Sequence, residues 1–236
     1  MSHKWLMNGK LYGETEAFIM AIQDKVIATN NYKKIIMKDP TINDDKCRKC
    51  KLQLETIEHI ISGCQAIAQT EYTRRHNNVV NIIHQHLLKN CNMPYEKGPY
   101  YVWKPPAVVE NHNFKIFYDR TIYSNNTRIN NRTDITIINK QESKGIFIDI
   151  AVPATKNVIK TYQEKVQKYT ELAIETKRNW NLRELKIVPI VISAEGVVHN
   201  RMKDDLKKLG LKTKIIDEIQ KAVIIDTCHI TRKFLN

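Results

Sequence analysis

Asp149 lies inside the run Gly145-Ile146-Phe147-Ile148-Asp149-Ile150-Ala151-Val152, which otherwise reads as a buried strand. Side chains alternate along a strand, so Ile146, Ile148, Ile150 and Val152 share one face. Asp149 falls on the other, between Phe147 and Ala151. A carboxylate amid that much apolar surface is costly to bury unless it is paired or binds a metal. A second acid, Asp134, opens the preceding strand-like run Ile135-Thr136-Ile137-Ile138, and Lys140-Gln141-Glu142-Ser143-Lys144 supplies a turn between the two. The pattern predicts two acids facing each other across a hairpin. Facing carboxylates suit a hard divalent cation and phosphate chemistry, in which the metal activates water and neutralises developing charge. Lys165 and Lys168 follow one helical turn apart, so both can face one groove. An ammonium there could position or deprotonate the water, or stabilise the pentacovalent phosphate. From the residues alone a second reading stays open. Asp149 can be a buried acid hydrogen-bonded to a structural partner such as Arg132, and the lysines a solvated face.

A second constellation has the spacing Cys47-x2-Cys50-x8-His59-x4-Cys64. Two thiolates on a turn can clasp one zinc ion, and a His and a Cys from a following helix end can complete a tetrahedron. Four protein ligands close the shell, so the expected site is structural rather than catalytic. The competing reading is three unrelated cysteines and a core histidine; two further soft ligands so close to a C-x2-C favour zinc. Arg48, Lys49 and Lys51 surround the first pair, where they can lower the thiol pKa values and touch phosphates. His76, His84 and His86 read as surface or packing histidines. Cys91 and Cys228 read as inert thiols, since five cysteines are an odd number for a disulfide framework.

These residues need elements to hold them. Phe18, Ile19, Ile22, Val26 and Ile27 predict a helix over 14–30, stopped by Asn30-Asn31. A helix starting near Glu55 carries His59, and a longer one runs from about Gln65 to Lys89. Strands are predicted over 114–119, 134–139, 145–152 and 186–193, a long helix over 157–180, and shorter helices over 201–209 and 214–226. Prolines 94, 99, 105 and 106 mark a linker. The domains expected are therefore a helical region 1–92 with the cysteine cluster at 47–64, a linker 93–113, and an α/β domain 114–236: α+β overall. Tyr100, Tyr101 and Trp103, beside Lys97 and Lys104, read as linker packing, with base stacking as the alternative. The chain has 236 residues, 42% of them hydrophobic, and a net charge of +13 spread along its length. That field attracts polyanions, nucleic acid or an anionic membrane. No apolar run approaches the ~18 residues of a membrane span. The first residues do not resemble a signal peptide, so the expectation is a soluble intracellular protein.

Several stretches together resemble the C-terminal end of polyproteins from site-specific, R2-like non-LTR retrotransposons of insects. They are Thr15-Glu16-Ala17-Phe18-Ile19-Met20-Ala21-Ile22-Gln23-Asp24, the Cys-Cys-His-Cys knuckle, Tyr72-x3-His76-Asn77 and Arg132-Thr133-Asp134. Ile148-Asp149-Ile150-Ala151-Val152-Pro153, Val188-Pro189-Ile190-Val191-Ile192-Ser193 and Lys221-Ala222-Val223-Ile224-Ile225-Asp226-Thr227 extend the likeness almost end to end. The resemblance implies a CCHC zinc knuckle followed by a restriction-like endonuclease of the PD-(D/E)xK class. In that family the domain nicks chromosomal DNA, and the freed 3′ hydroxyl primes reverse transcription of the element's RNA. It implies Asp134 and Asp149 as magnesium ligands, and Lys165, with Lys168 as second choice, as the lysine relocated to the following helix. Ala151 stands where the class's usual lysine would be. Arg48, Lys49, Lys51 and Arg132 are the candidate nucleic-acid contacts, with target DNA and element RNA as partners, in the nucleus. The family usually has proline before its first acid, where this chain has Thr133. Nothing here resembles the family's reverse-transcriptase palm, so a fragment of a longer element or a detached descendant is expected. The alternative is a catalytically inactive nucleic-acid-binding module.

Overall fold

The alternating β-branched runs of the second half assemble into one mixed sheet. Its strands are β1 (Val108–Glu110), β2 (Phe114–Tyr118), β3 (Ile135–Asn139), β4 (Lys144–Ala151) and β5 (Glu184–Val191), in that spatial order. The first four form an antiparallel meander, and β5 lies parallel to β4. The computed structural model describes residues 4–8, 10–95, 98–123 and 131–236; Lys97, expected beside the linker aromatics, lies outside them. Pro189 can sit within β5 because β5 is an edge strand, where a missing N–H need not break a ladder.

The helices are α1 (Lys4–Asn8), α2 (Gly13–Gln23), α3 (Asn30–Ile35), α4 (Ile57–Ser62), α5 (Thr73–Asn90), α6 (Val158–Asn179), α7 (Met202–Lys208) and α8 (Ile215–Leu235). The long α6 is the crossover that returns the chain to pair β5 beside β4. It covers the sheet face that carries Phe147, through Tyr169, Leu172 and Ala173. The other face, with Ile148 and Ile150, packs on Val79, Val80 and Ile83 of α5, Leu206 of α7, and Ile219 and Val223 of α8. A second core joins Trp5, Ile19, Ile22, Ile57, Ile60 and Ile61 to Ile224, Cys228 and Phe234 of α8.

Four expectations differ from this arrangement. The helix over 14–30 ends at Gln23: Lys25 turns through a positive φ, and a new helix, α3, starts only at Asn30, capped by Thr29, which accepts from the Tyr32 N–H. Asn30-Asn31, read as a stop, thus opens a helix. The single helix from Gln65 begins instead as a 3-10 turn (Gln65–Ile67) and a π turn (Ala68–Tyr72) before α5. The last helix runs to Leu235, because Thr227 and Thr231 satisfy their hydroxyls on backbone carbonyls of Ala194 and Thr227. The boundary at 93–113 also falls within shared packing, since α5 is built into the core of the sheet and β1 lies inside that segment. Tyr100 and Trp103 pack onto that core, and Asn81 donates to both of their carbonyls.

His84 is fully buried beside Trp103 and Tyr118. Its Nδ1 accepts from the Trp103 indole N–H, its Nε2 has no partner, and burial pushes its pKa down to about 4. The folded protein therefore holds a neutral imidazole. Its contribution is complete above the unfolded pKa of about 6.5 and is lost as pH falls toward 4. Urea unfolding at pH 7.5 and at pH 5 should show a loss of about 2 kcal/mol from this residue. His84→Gln should remove that part of the acid sensitivity; an equally steep pH dependence in the variant would assign it elsewhere.

Candidate functional site

Asp134 immediately precedes β3, in which Ile135 opposes Ile148 of β4, so it enters the sheet beside Asp149, whose charge it perturbs. Beyond that point β3 has ended, and the Asp134 carboxylate takes over the ladder's role: its Oδ2 accepts from the Ile150 N–H at 2.6 Å. The same oxygen accepts from His76 Nε2 at 3.2 Å. Burial alone would raise the pKa of Asp134. The His76 hydrogen bond and charge, the Ile150 amide and the nearby Lys165 outweigh it, so the carboxyl is held below the usual range.

Asp149 is 3% exposed. Its Oδ1 accepts from the Tyr169 hydroxyl at 2.5 Å, and the Lys165 ammonium lies 2.5 Å from its Oδ2. That last contact pairs the ammonium directly with the buried Oδ2. Burial, then the charge of Asp134, raise the pKa of Asp149 against the opposing pull of Lys165 and Tyr169. Lys165 and Tyr169 come from α6 at i and i+4, which is why one helix supplies both partners of one acid. Lys168 does not reach the acids; its Nζ lies 4.6 Å from the centre of the Tyr169 ring. Burial lowers its pKa.

Arg132, weighed above as a partner for Asp149, instead forms a two-pronged pair with Asp119, and only its backbone carbonyl touches the site, accepting from Tyr169. Thr133 is buried, with its hydroxyl 2.8 Å from that of Thr136. That bond ties down the residue ahead of Asp134.

The second constellation is assembled. The ligand atoms of Cys47, Cys50, His59 and Cys64 all lie within 4.8 Å of one another. Two thiolates on a tetrahedral zinc at about 2.3 Å stand about 3.8 Å apart, and a thiolate and an imidazole about 3.6 Å. Cys47 and Cys64 Sγ are 3.7 Å apart, and Cys50 Sγ is 3.3 Å from His59 Nε2. This donor set can hold a zinc ion. His59 Nδ1 faces Gln53 Oε1 at 3.1 Å, the outer contact that orients a ligating imidazole. Among the described residues this is the one group of three or more such side chains close enough to share a metal. The π turn aims Tyr72 back at it: the Tyr72 hydroxyl accepts from the Cys64 N–H and donates to the Ile60 carbonyl.

Arg48, expected as a phosphate contact, is a structural residue. Its guanidinium donates to both oxygens of Glu55, to Asn30 Oδ1 and to the Leu235 carbonyl. The fully buried Glu55 requires such a cation. Lys49 and Lys51 stay exposed on the loop, as does Leu52. A groove of ≈ 640 Å³ opens beside His59, between this loop and the Pro153–Asn157 turn that leaves β4, with Lys46 and Lys156 along it.

Sequence reasoning missed His76 as a partner of Asp134. No spacing signals it, because the contact spans 58 residues. Tyr169 was legible as an inward face of α6, not as a donor to Asp149. No family model matches the chain, and no curated protein matches it. No helix among the described residues is long and apolar enough to cross a membrane.

Metal analysis of the purified chain should find one zinc per molecule. Cys64→Ser or prolonged chelation should lower the unfolding midpoint, because zinc binding free energy at such sites is spent on folding. An unchanged midpoint in both would assign these thiols to ordinary packing.

Proposed function

We propose that this protein is a magnesium-dependent DNA endonuclease in which Asp134 and Asp149 hold the cation and Lys165 acts beside it. The observation that carries the reading is the meeting of two acids from neighbouring strands with an ammonium from the crossover helix. Asp149 is held by Tyr169 and Lys165 and carries the charge of a second acid, Asp134, close by. Magnesium is commonly held by one or two carboxylates and keeps several waters, which suits this donor set. When bound, the cation would supply an activated water and neutralise charge on the phosphate. Lys165 can position that water or donate to the phosphate, and Tyr169 holds Asp149 in orientation.

The resemblance to retrotransposon endonucleases adds the substrate and the purpose: nicking of target DNA to prime reverse transcription, by a restriction-like domain behind a zinc knuckle. The net charge of +13 and the exposed Lys46, Lys49, Lys51 and Lys156 favour a polyanionic substrate. Arg132 keeps its place near the carboxylates as a candidate phosphate contact, although Asp119 already pairs with it.

A second reading is a binding module without catalysis. Thr133 in place of the family's proline favours it, as does the closed Asp149–Lys165 pair, which must open or rearrange to admit a cation.

Supercoiled plasmid in Mg²⁺ should be nicked by the purified protein. Asp149→Asn, which keeps the side-chain shape, should slow nicking at least about 100-fold, and Lys165→Ala by about 10²–10⁴. Equal nicking by Asp149→Asn would refute the assignment. Plasmid left intact, with DNA still bound and released steeply by salt, would select the second reading.

A further inference from the structure

Both donors to Asp134 land on one oxygen. Oδ2 accepts from the Ile150 N–H and from His76 Nε2, whereas Oδ1 carries no hydrogen bond among the described residues. The two donors come from different parts of the molecule. Ile150 belongs to β4, next to Asp149; His76 belongs to the first turn of α5. Two donors from different elements restrict the carboxylate at Oδ2 and leave Oδ1 as its other acceptor. A carboxylate only accepts, so His76 Nε2 must be the donor in this contact, whatever the state of Nδ1.

The imidazole is itself held. Its Nδ1 lies 3.1 Å from Asn77 Oδ1. One turn earlier on the same side of the helix, Tyr72 is bonded to the backbone of Cys64 and Ile60. Between them, the buried Arg75 donates to the Ile61 carbonyl and to Thr227 on α8. The start of α5 is therefore fixed to the cysteine cluster, and His76 projects from that fixed start to the sheet.

We propose that His76 is a positioning residue: with the Ile150 amide it pins Asp134 Oδ2 and so presents Oδ1 to the divalent cation. This rests on the reading of Asp134 and Asp149 as cation ligands. His76 does not touch the cation or the phosphate. It acts through the carboxylate, as outer-shell partners of metal ligands do, and removing such a partner typically weakens metal binding 10–100-fold.

The test uses the full, zinc-loaded chain and Mn²⁺ as probe, followed by electron paramagnetic resonance without DNA. The wild-type protein should bind Mn²⁺, and Asp149→Asn should lose that site. His76→Phe keeps the ring and removes the donor; its Mn²⁺ affinity should fall at least about 10-fold. His76→Gln returns an N–H close to the Nε2 position and should restore affinity to within about 3-fold of wild type, with nicking rates following the same order. Salt-dependent DNA binding should stay unchanged across the His76 variants, and cation affinities are compared well below each variant's thermal midpoint, because removing a donor from a buried carboxylate lowers that midpoint. Wild-type Mn²⁺ affinity in His76→Phe, with Asp149→Asn still defective, overturns the role of His76 alone. So does a Gln variant no better than Phe while both remain folded. Mn²⁺ binding that is absent in the wild type, or identical in Asp149→Asn, overturns the cation site and this inference together.

Discussion

A carboxylate that is 3% exposed on the inner side of a sheet sets the terms for everything around it. Asp149 sits between Phe147 and Ala151 on the face covered by α6, where an uncompensated charge would cost several kcal/mol. The ammonium of Lys165 at 2.5 Å returns on the order of 6 kcal/mol at an effective dielectric of about 20. The pair therefore lies near balance rather than contributing strongly to stability, and an apolar pair of similar volume would hold α6 to the sheet at least as well. Stability alone gives no reason for this arrangement. The proposed cation chemistry would supply one, and under that proposal the near-balance would let an entering cation displace the ammonium without dismantling the fold.

The acids sit on or beside a hairpin whose remaining supports come from helices on either side of it in sequence. β3 and β4 bring Asp134 beside Asp149 through strand register, α6 adds Lys165 and Tyr169 from one side, and α5 adds His76 from beyond the end of β3. The cysteine cluster enters this arrangement through α5. The π turn before that helix allows Tyr72 to point back at Cys64 while His76, four residues on, points to Asp134. A regular α-helix from Gln65 would change the phase between cluster and sheet by roughly 100° for each residue inserted or removed. The interruption therefore connects two sites that lie far apart along the chain.

Strands β2 to β5, α6 and the cysteine cluster were legible because each follows from short-range rules, whereas β1 lies in the stretch read as a linker. Period-two alternation marks β3 and β4, a 3.6-residue stripe marks α6, and ligand spacing marks the cluster. The pairing of Asp134 with Asp149 was legible too, as the short turn between their strands leaves little freedom of register. What escaped has a common cause. His76 reaches Asp134 across 58 residues, Arg48 serves a buried Glu55 rather than a phosphate, and Arg132 pairs with Asp119. In each case the partner is chosen by tertiary packing, and a basic side chain looks the same in sequence whether it faces solvent or a buried acid. The missed helix boundaries are similar: Thr29 caps α3 and Thr231 lies within α8, and threonine's helix preference alone distinguishes neither role.

Thr133 bears on how the first acid is fixed. Proline at that position restricts one backbone dihedral ahead of the acid. Here the restriction is replaced by contacts. The Thr133 hydroxyl meets that of Thr136, the Asp134 carbonyl accepts from the Asp119 N–H, and the carboxylate itself is held by Ile150 and His76. Two of these four hydrogen bonds act on the Asp134 carboxylate itself, whereas proline constrains only the chain leading to it. Threonine at position 133 is therefore compatible with a firmly held Asp134, placed by the groups that donate to its oxygen.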